Sequence, residues 1–419
     1  MTTTLILGGA APAATGYVHD ICARALAQLR ARGSRIVLTD LAGNLDSSPE
    51  LTRLADDVAA LDFTDAERCV EWATAYAAEY RIDAVLAFRE YAVVAAAEVA
   101  AALGLPGNPP EAVRRVRLKD ACREHLRGHG FRQPTLRLCA DGREAEAFHR
   151  QVGGAVVVKP RSGSSSEGVE RVDDPDQMPA AFARACDADG VALVETFVDG
   201  PEFSVEGIMA AGRPRVLAVT AKQVSAESFV ECGHTMPAPI GAAATEAVTA
   251  EVERALDALE VRHGLFHVEC WLTADGVVLG EVHVRQGGDW IHAMVEWIHP
   301  GLELYGAWLD DLLGRPVDPP TAPRRGAAAR FVTVPEGTVA GIDRWEEVAS
   351  RSDLLAAELT LRVGSRTRAV SSNLERYGVL VVGTASAAAA GPLADRLLAS
   401  VDIRLAPPAP LMREACGVR

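Results

Sequence analysis

Hydrophobic positions in the first hundred residues switch between two spacings. An apolar run over 3–7 reads as a buried strand and a small-residue loop follows from Gly8 to Gly16. Val18, Ile21, Ala25, Leu26 and Leu29 then recur at the spacing of a helix face. Gly33 stops that helix, and 35–39 returns as a strand. A strand over 84–88 and a helix over 91–103, closed by Gly104, extend this βαβ unit to an open parallel sheet ending near Gly107-Asn108-Pro109-Pro110. The pattern next predicts one basic amphipathic helix over 111–127, a strand reaching Lys159 and a Ser/Gly-rich turn. A helix near 178–186, a strand over 191–195 and mixed strands up to Trp290 follow. Four prolines between Arg315 and Gly326 read as a linker, and β-rich pieces with one alanine-rich helix over 330–403 predict a small C-terminal α+β unit. The expected class is therefore α/β and α+β, in three units: residues 1–112, 113–320 and 321–419.

A length of 419 residues suits several packed units, and 49% apolar with 24% charged residues is a globular balance. The net charge of −15, with no basic run of five, argues against a nucleic-acid partner. Eight cysteines without a CxxC pair read as reduced thiols of a cytoplasmic protein. The start carries no basic leader, and the apolar stretch 92–103 is too short for a bilayer and is cut by Glu98, so no membrane partner is expected. One count is sharper: of 42 basic residues only Lys119, Lys159 and Lys222 are lysine. Codon bias would convert every lysine that serves only as a solvated cation, so the survivors mark places where a compact ammonium is needed.

Asp40, after a glycine loop and at the end of the second strand, invites a dinucleotide reading, but GGAAPAATG lacks GxGxxG. In 156–172, VVVKPRSGSSSEGVERV, a lysine ends a strand and small residues follow, so backbone N–H groups can approach phosphate oxygens while the ammonium neutralises them. The alternative is a flexible hairpin tip. Glu195 and Glu202 bracket a Gly-Pro turn and, taken alone, read as surface carboxylates. In 267–290, HVECWLTADGVVLGEVHVRQGGDW, a three-residue turn at 274–276 would set Glu269 opposite Glu281, a repulsive pair unless a cation or proton lies between them. Glu281, His283 and Arg285 then share one face, with Val282 and Val284 on the other. Two acids held this way suit Mg²⁺.

The order Lys119, Lys159 with its serine-glycine turn, Glu195 to Glu202, Glu269 and the Glu281–Arg285 strand resembles the ATP-grasp superfamily, specifically its carboxylate–amine ligases of the L-amino acid ligase type. The resemblance covers most of the chain and implies an ATP-grasp fold: an N-terminal open sheet, a central two-lobed domain with a lid lobe at about 120–195, and a C-terminal domain. It implies that Lys119 and Lys159 contact ATP phosphates under a lid carrying Ser164, Ser165 and Ser166. Glu195 with Phe197 and Val198 would hold adenine, and Glu202 the ribose. Glu269 and Glu281 would bind Mg²⁺, with Mn²⁺ as a substitute, and Arg285 the acyl phosphate. Where the usual pattern has asparagine this chain has His283, and imidazole is a poor Mg²⁺ ligand. Its role stays open between phosphate, substrate and packing. Glu90, Lys222, His234, His283, Arg285, Gly287 and Gly288 are candidate substrate contacts, Glu90 reading equally as a surface charge and His234, taken alone, as a loop histidine. The implied reaction joins a small carboxylate to a small amine with release of ADP, and a homodimer is allowed. A bicarbonate-activating enzyme of the biotin-carboxylase kind and a non-catalytic nucleotide binder are the rival readings. Trp290, His292 and Trp297 read as packing residues.

Overall fold

A computed structural model describes residues 2–163, 165–225, 228–320 and 322–407. Four parallel strands form the N-terminal sheet, in the order Asp57–Ala60, Arg35–Asp40, Thr3–Leu7, Ala84–Ala87. Helix Tyr17–Ala31 buries Ile21, Cys22, Ala25, Leu26 and Leu29, the face that the spacing predicts. Asp57–Ala60 is an added strand; its alternation of half-buried and exposed residues gives no apolar run to read. At the carboxyl ends of these strands lie Gly8 and the stretch Phe88 to Glu90, where ligands of open α/β sheets are received. Asp40 is no ribose acid: its oxygens accept from the N–H groups of Ala10 (2.9 Å) and Leu41 (2.7 Å) and from Asn44 (2.6 Å), which fastens the glycine loop.

The predicted single helix over 111–127 is two, Pro110–Arg117 and Lys119–Gly128. Leu118 leaves helical geometry at φ −98°, ψ 108°, and the N–H of Lys119 reaches Arg161 O at 3.4 Å, so a tertiary contact interrupts a pattern that periodicity alone reads as continuous.

Four antiparallel strands, in the order Leu136–Cys139, Ala192–Thr196, Val156–Lys159, Glu170–Val172, make a separate small sheet. Helices Gly142–Val152 and Met178–Ala185 cover it, with a core of their own around Phe148, Val156, Val158 and Val194. The largest sheet has eight strands, beginning Gly276–His283, Leu265–Thr273, Glu202–Ala210, Arg213–Val224 and Glu231–Met236. Gly326–Val332, Gly378–Thr384 and Leu354–Leu359 continue it. The chain from Gly326 onward thus extends the central sheet, through pairs such as His234 with Ala329, and adds a three-stranded sheet beside it. Trp290 and His292 are buried, His292 against Asp20 at 2.7 Å.

The hairpin register differs from the expected one and then recovers it. Thr273 pairs with Gly276, so the turn holds two residues, and Cys270 pairs with Leu279. A bulge follows, and Val268 pairs with Val282. Gly280 lies so close to Glu269 that an added Cβ would sit 2.9 Å from Glu269 O, so the bulge needs glycine there. One shorter turn and one extra residue offset each other. Glu281 and His283 therefore face one way while Val282 and Val284 enter the core.

Candidate functional site

The three lysines converge. Lys119, Lys159 and Lys222 all line one cavity of about 910 Å³, walled by the small four-stranded sheet, the eight-stranded sheet and the ends of the N-terminal strands. Glu90, Ser165, Ser166, Glu195, Phe197, Val198, Glu202, His234, Glu269, Glu281, His283, Arg285 and Gly288 line it too. Gly287 lies behind that wall, where a Cβ would meet Ile291 at 2.8 Å and His267 Nδ1 at 3.0 Å. Ser164 lies outside the described residues. Ser165 and Ser166 hold φ of 61° and 57°, left-handed geometry that turns the chain over the cavity.

Lys159 ends its strand with Nζ 2.7 Å from Glu195 Oε1 and 3.6 Å from Glu281 Oε1. Arg123 Nε holds the other Glu195 oxygen at 3.0 Å. Glu195, expected at the adenine, thus turns its carboxylate to two buried cations. Burial opposes its charge, and Arg123 and Lys159 outweigh that and lower its pKa. Lys119 Nζ donates to Gly163 O at 2.6 Å and lies 3.4 Å from Glu281 Oε2. Burial works against ionised Glu281 as well, but Lys119 and Lys159 hold it at about 2.

Lys222 Nζ sits among three carboxylates, Glu202 at 2.6 Å, Glu231 at 2.8 Å and Glu269 at 3.0 Å. Burial alone would neutralise this ammonium; the acids raise its pKa well above the usual lysine value. One cation shared by three anions leaves an excess of negative charge. Glu202, pressed by burial and by Glu269, is the member whose pKa rises despite its lysine, while Glu231 and Glu269 stay well below the carboxylate range.

Behind Glu269, His267 lies between Glu206 Oε2 (2.9 Å) and Glu269 Oε1 (3.4 Å). Burial favours its neutral form, yet Glu206 and Glu269 raise it to about 9. Its folded value exceeds the unfolded one, so this contribution is complete below about pH 6.5 and fades as pH rises through about 9. Denaturant unfolding between pH 6 and 9.5 should show the wild type losing up to about 3 kcal/mol relative to His267→Gln. Parallel pH curves for the two proteins would remove the buried imidazolium.

Beside His267 on the neighbouring strand, His283 Nδ1 (2.9 Å) grips Glu90 together with Arg117 (2.6 Å) and Arg285 Nε (2.5 Å). Against a burial cost, Arg285 foremost and then His283 and Arg117 keep it well below the usual carboxylate range. Sequence reasoning reached Glu90 but not its partner Arg117, nor Arg123, which shares the i, i+4 face of Lys119 and was findable on that spacing. It also missed Tyr17, Asn373 and Arg376. Arg376 pairs with Asp289 at 2.7 Å and lies over the Phe331 ring at 3.6 Å. Asn373 accepts from Glu231 N at 2.9 Å and donates its own N–H to Ser165 O at 3.0 Å. Asn373 and Arg376 come from the C-terminal part of the chain, where no local spacing announces them.

Ionised Glu269 and Glu281 on adjacent strands give hard oxygen donors that fit a divalent cation, once the lysines turn to an incoming anion. Among the described residues, Glu231, His234 and Asp289 also bring ligand atoms within 4.8 Å of one another. That group is an ion-pair cluster. Lys222 and Arg376 neutralise its acids, His234 Nε2 lies 3.3 Å from Glu231 and 3.6 Å from Asp289, and although burial opposes it, Asp289 and Glu231 push the His234 pKa up. The seven described cysteines are free, with thiols such as Cys22 and Cys122 pushed up to about 12 by burial, and Cys416 lies outside the described residues. No described helix is long and apolar enough to cross a membrane.

Comparison with known proteins points the same way. Residues 152–294 match the ATP-grasp domain family, 27–107 the ATP-grasp N-terminal domain, and 330–406 the L-amino acid ligase C-terminal domain 2. The L-amino acid ligase from Bacillus licheniformis superposes with a TM-score of 0.79 at 23% identity, over 97% of this chain and 99% of that one. An uncharacterized protein of Sinorhizobium fredii, y4rH, is 24% identical over 84% of this chain and 74% of its own length. The D-alanine–D-alanine ligase of Mycobacterium bovis is 33% identical over 36% of this chain, a match that spans 48% of that ligase.

Proposed function

Since the chain belongs to the ATP-grasp superfamily, we propose that it joins a small carboxylate to a small amine through an acyl phosphate, at the expense of ATP, releasing ADP and phosphate. One observation carries this reading: the chain's three lysines and the facing pair Glu269 and Glu281 meet in a single cavity of about 910 Å³. That volume is at the upper end for small-molecule sites and leaves room for a nucleotide with two small partners.

In this reading Lys119 and Lys159 receive the phosphates beneath Gly163, Ser165 and Ser166, and Glu195 with Arg123 fixes the Lys159 ammonium before the nucleotide arrives. The backbone at Phe197 and Val198 forms the adenine edge, and Glu202 takes the ribose as Lys222 turns to phosphate. Glu269 and Glu281 hold the divalent cation, which when bound neutralises charge on the β- and γ-phosphates. Arg285, aimed by Glu90, steadies the acyl phosphate and the oxyanion formed when the amine attacks. Glu231, His234 and Asp289 line the remaining wall as the substrate side, with Gly288 leaving room beside the Tyr17 ring.

Isotope transfer tests this chemistry. A carboxylate oxygen attacks the γ-phosphorus, so a substrate labelled with ¹⁸O in its carboxylate should pass one label to orthophosphate during amide formation. Label in AMP would indicate adenylation instead. Phosphate release that needs only bicarbonate would indicate a carboxylase.

A further inference from the structure

His283 stands where the resembled pattern has asparagine, and its surroundings give that departure a purpose. It follows the bulge at Gly280 and Glu281, so both Glu281 and His283 point into the cavity. Its side chain is only 10% exposed, and its Nδ1 lies 2.9 Å from Glu90 Oε2. Glu90 is a charged acceptor, locked by Arg117 and Arg285, so Nδ1 must donate to it. The lone pair of the neutral ring then lies on Nε2, which faces Glu281 Oε2 at 3.7 Å. Two ligand atoms that share one cation at about 2.1–2.2 Å stand about 3–4 Å apart, so this spacing suits a common ion. A carboxylate that fixes the tautomer and direction of an imidazole is also the usual support behind a metal-binding histidine. The second imidazole nearby, His267, is held between two carboxylates and has no nitrogen to offer.

We propose that His283 Nε2 joins Glu281 as a ligand of the divalent cation, and that this nitrogen shifts the preference of the site from Mg²⁺ towards Mn²⁺. The inference rests on the placement of the cation at Glu269 and Glu281 made above. A nitrogen donor costs Mg²⁺, which demands oxygen, more than it costs Mn²⁺, which stands higher in the order of affinity for such ligands.

Pulsed EPR of Mn²⁺ bound with ADP to the full chain reads the contact directly. Labelling with ¹⁵N-histidine should convert the nitrogen modulation from ¹⁴N to ¹⁵N frequencies in the wild type, which needs no variant to fold. In His283→Asn that coupling should vanish, and competition between the two ions should show the Mn²⁺ over Mg²⁺ affinity ratio falling by about tenfold or more. Absence of histidine coupling in the wild type, coupling that persists in His283→Asn, or an unchanged ratio overturns the proposal. A Glu281→Gln arm separates the two levels. If that variant loses Mn²⁺ while His283→Asn does not, the cation placement stands and this inference alone falls. If Glu281→Gln binds Mn²⁺ normally, both fall.

Discussion

Lys159→Arg should lower turnover by at least a hundredfold although the charge is kept. Lys159 is 5% exposed and its Nζ already lies 2.7 Å from Glu195, whose other oxygen is held by Arg123. A guanidinium is longer, planar and directs its donors in a fixed fork, so at this strand end it meets Glu195 and the Arg123 head before it can face a phosphate. Overfilling such a site costs about 1–3 kcal/mol of stability, which calorimetry would record beside the kinetics. Steady-state ADP release is the decisive measurement. A variant that keeps more than about a third of wild-type turnover would remove Lys159 from the phosphate site and reduce the scarcity of lysine to codon usage.

That scarcity was the most informative signal in the sequence, because it ranked residues without any knowledge of the fold. The parallel N-terminal sheet was legible for a different reason: buried parallel strands and the helix Tyr17–Ala31 carry apolar patterns set by local periodicity. The turn order from Lys159 to Arg285 was legible because each piece is contiguous in the chain. What periodicity could not show is where remote segments meet. The break at Leu118 goes with a contact to Arg161, the grip on Glu90 joins residues 117, 283 and 285, and Asn373 reaches Ser165 from the far end of the chain. The hairpin is the instructive case. An assumed turn length was off by one, and the bulge at Gly280 restored the pairing beyond it, so the face of Glu281 came out right by an offset that spacing alone does not reveal.

The same structure changes the expected cost of losing one of the two acids proposed to hold the cation. If Glu269 and Glu281 merely repelled each other across the ladder, neutralising one would leave the apo protein as stable as before or more so. They do not stand unpaired. Glu281 is flanked by Lys119 at 3.4 Å and Lys159 at 3.6 Å, and its pKa of about 2 lies below the ordinary glutamate value. A depressed carboxylate contributes stability that is complete above about pH 4.5 and is lost as pH falls through about 2. Glu281→Gln should therefore destabilise the apo protein at pH 7 by up to about 3 kcal/mol, with the difference from wild type closing in acid. The catalytic loss should be larger still, at least a hundredfold in turnover with a steep rise in the Mg²⁺ needed, since the amide keeps the shape of the acid and removes the charge that binds the cation. Denaturant titrations at pH 7 and pH 3 without metal, set beside Mg²⁺ dependence of ADP release, separate the two effects. A variant as stable as wild type at pH 7 would mean that Lys119 and Lys159 draw nothing from Glu281, and an unchanged Mg²⁺ requirement would take the cation away from this strand.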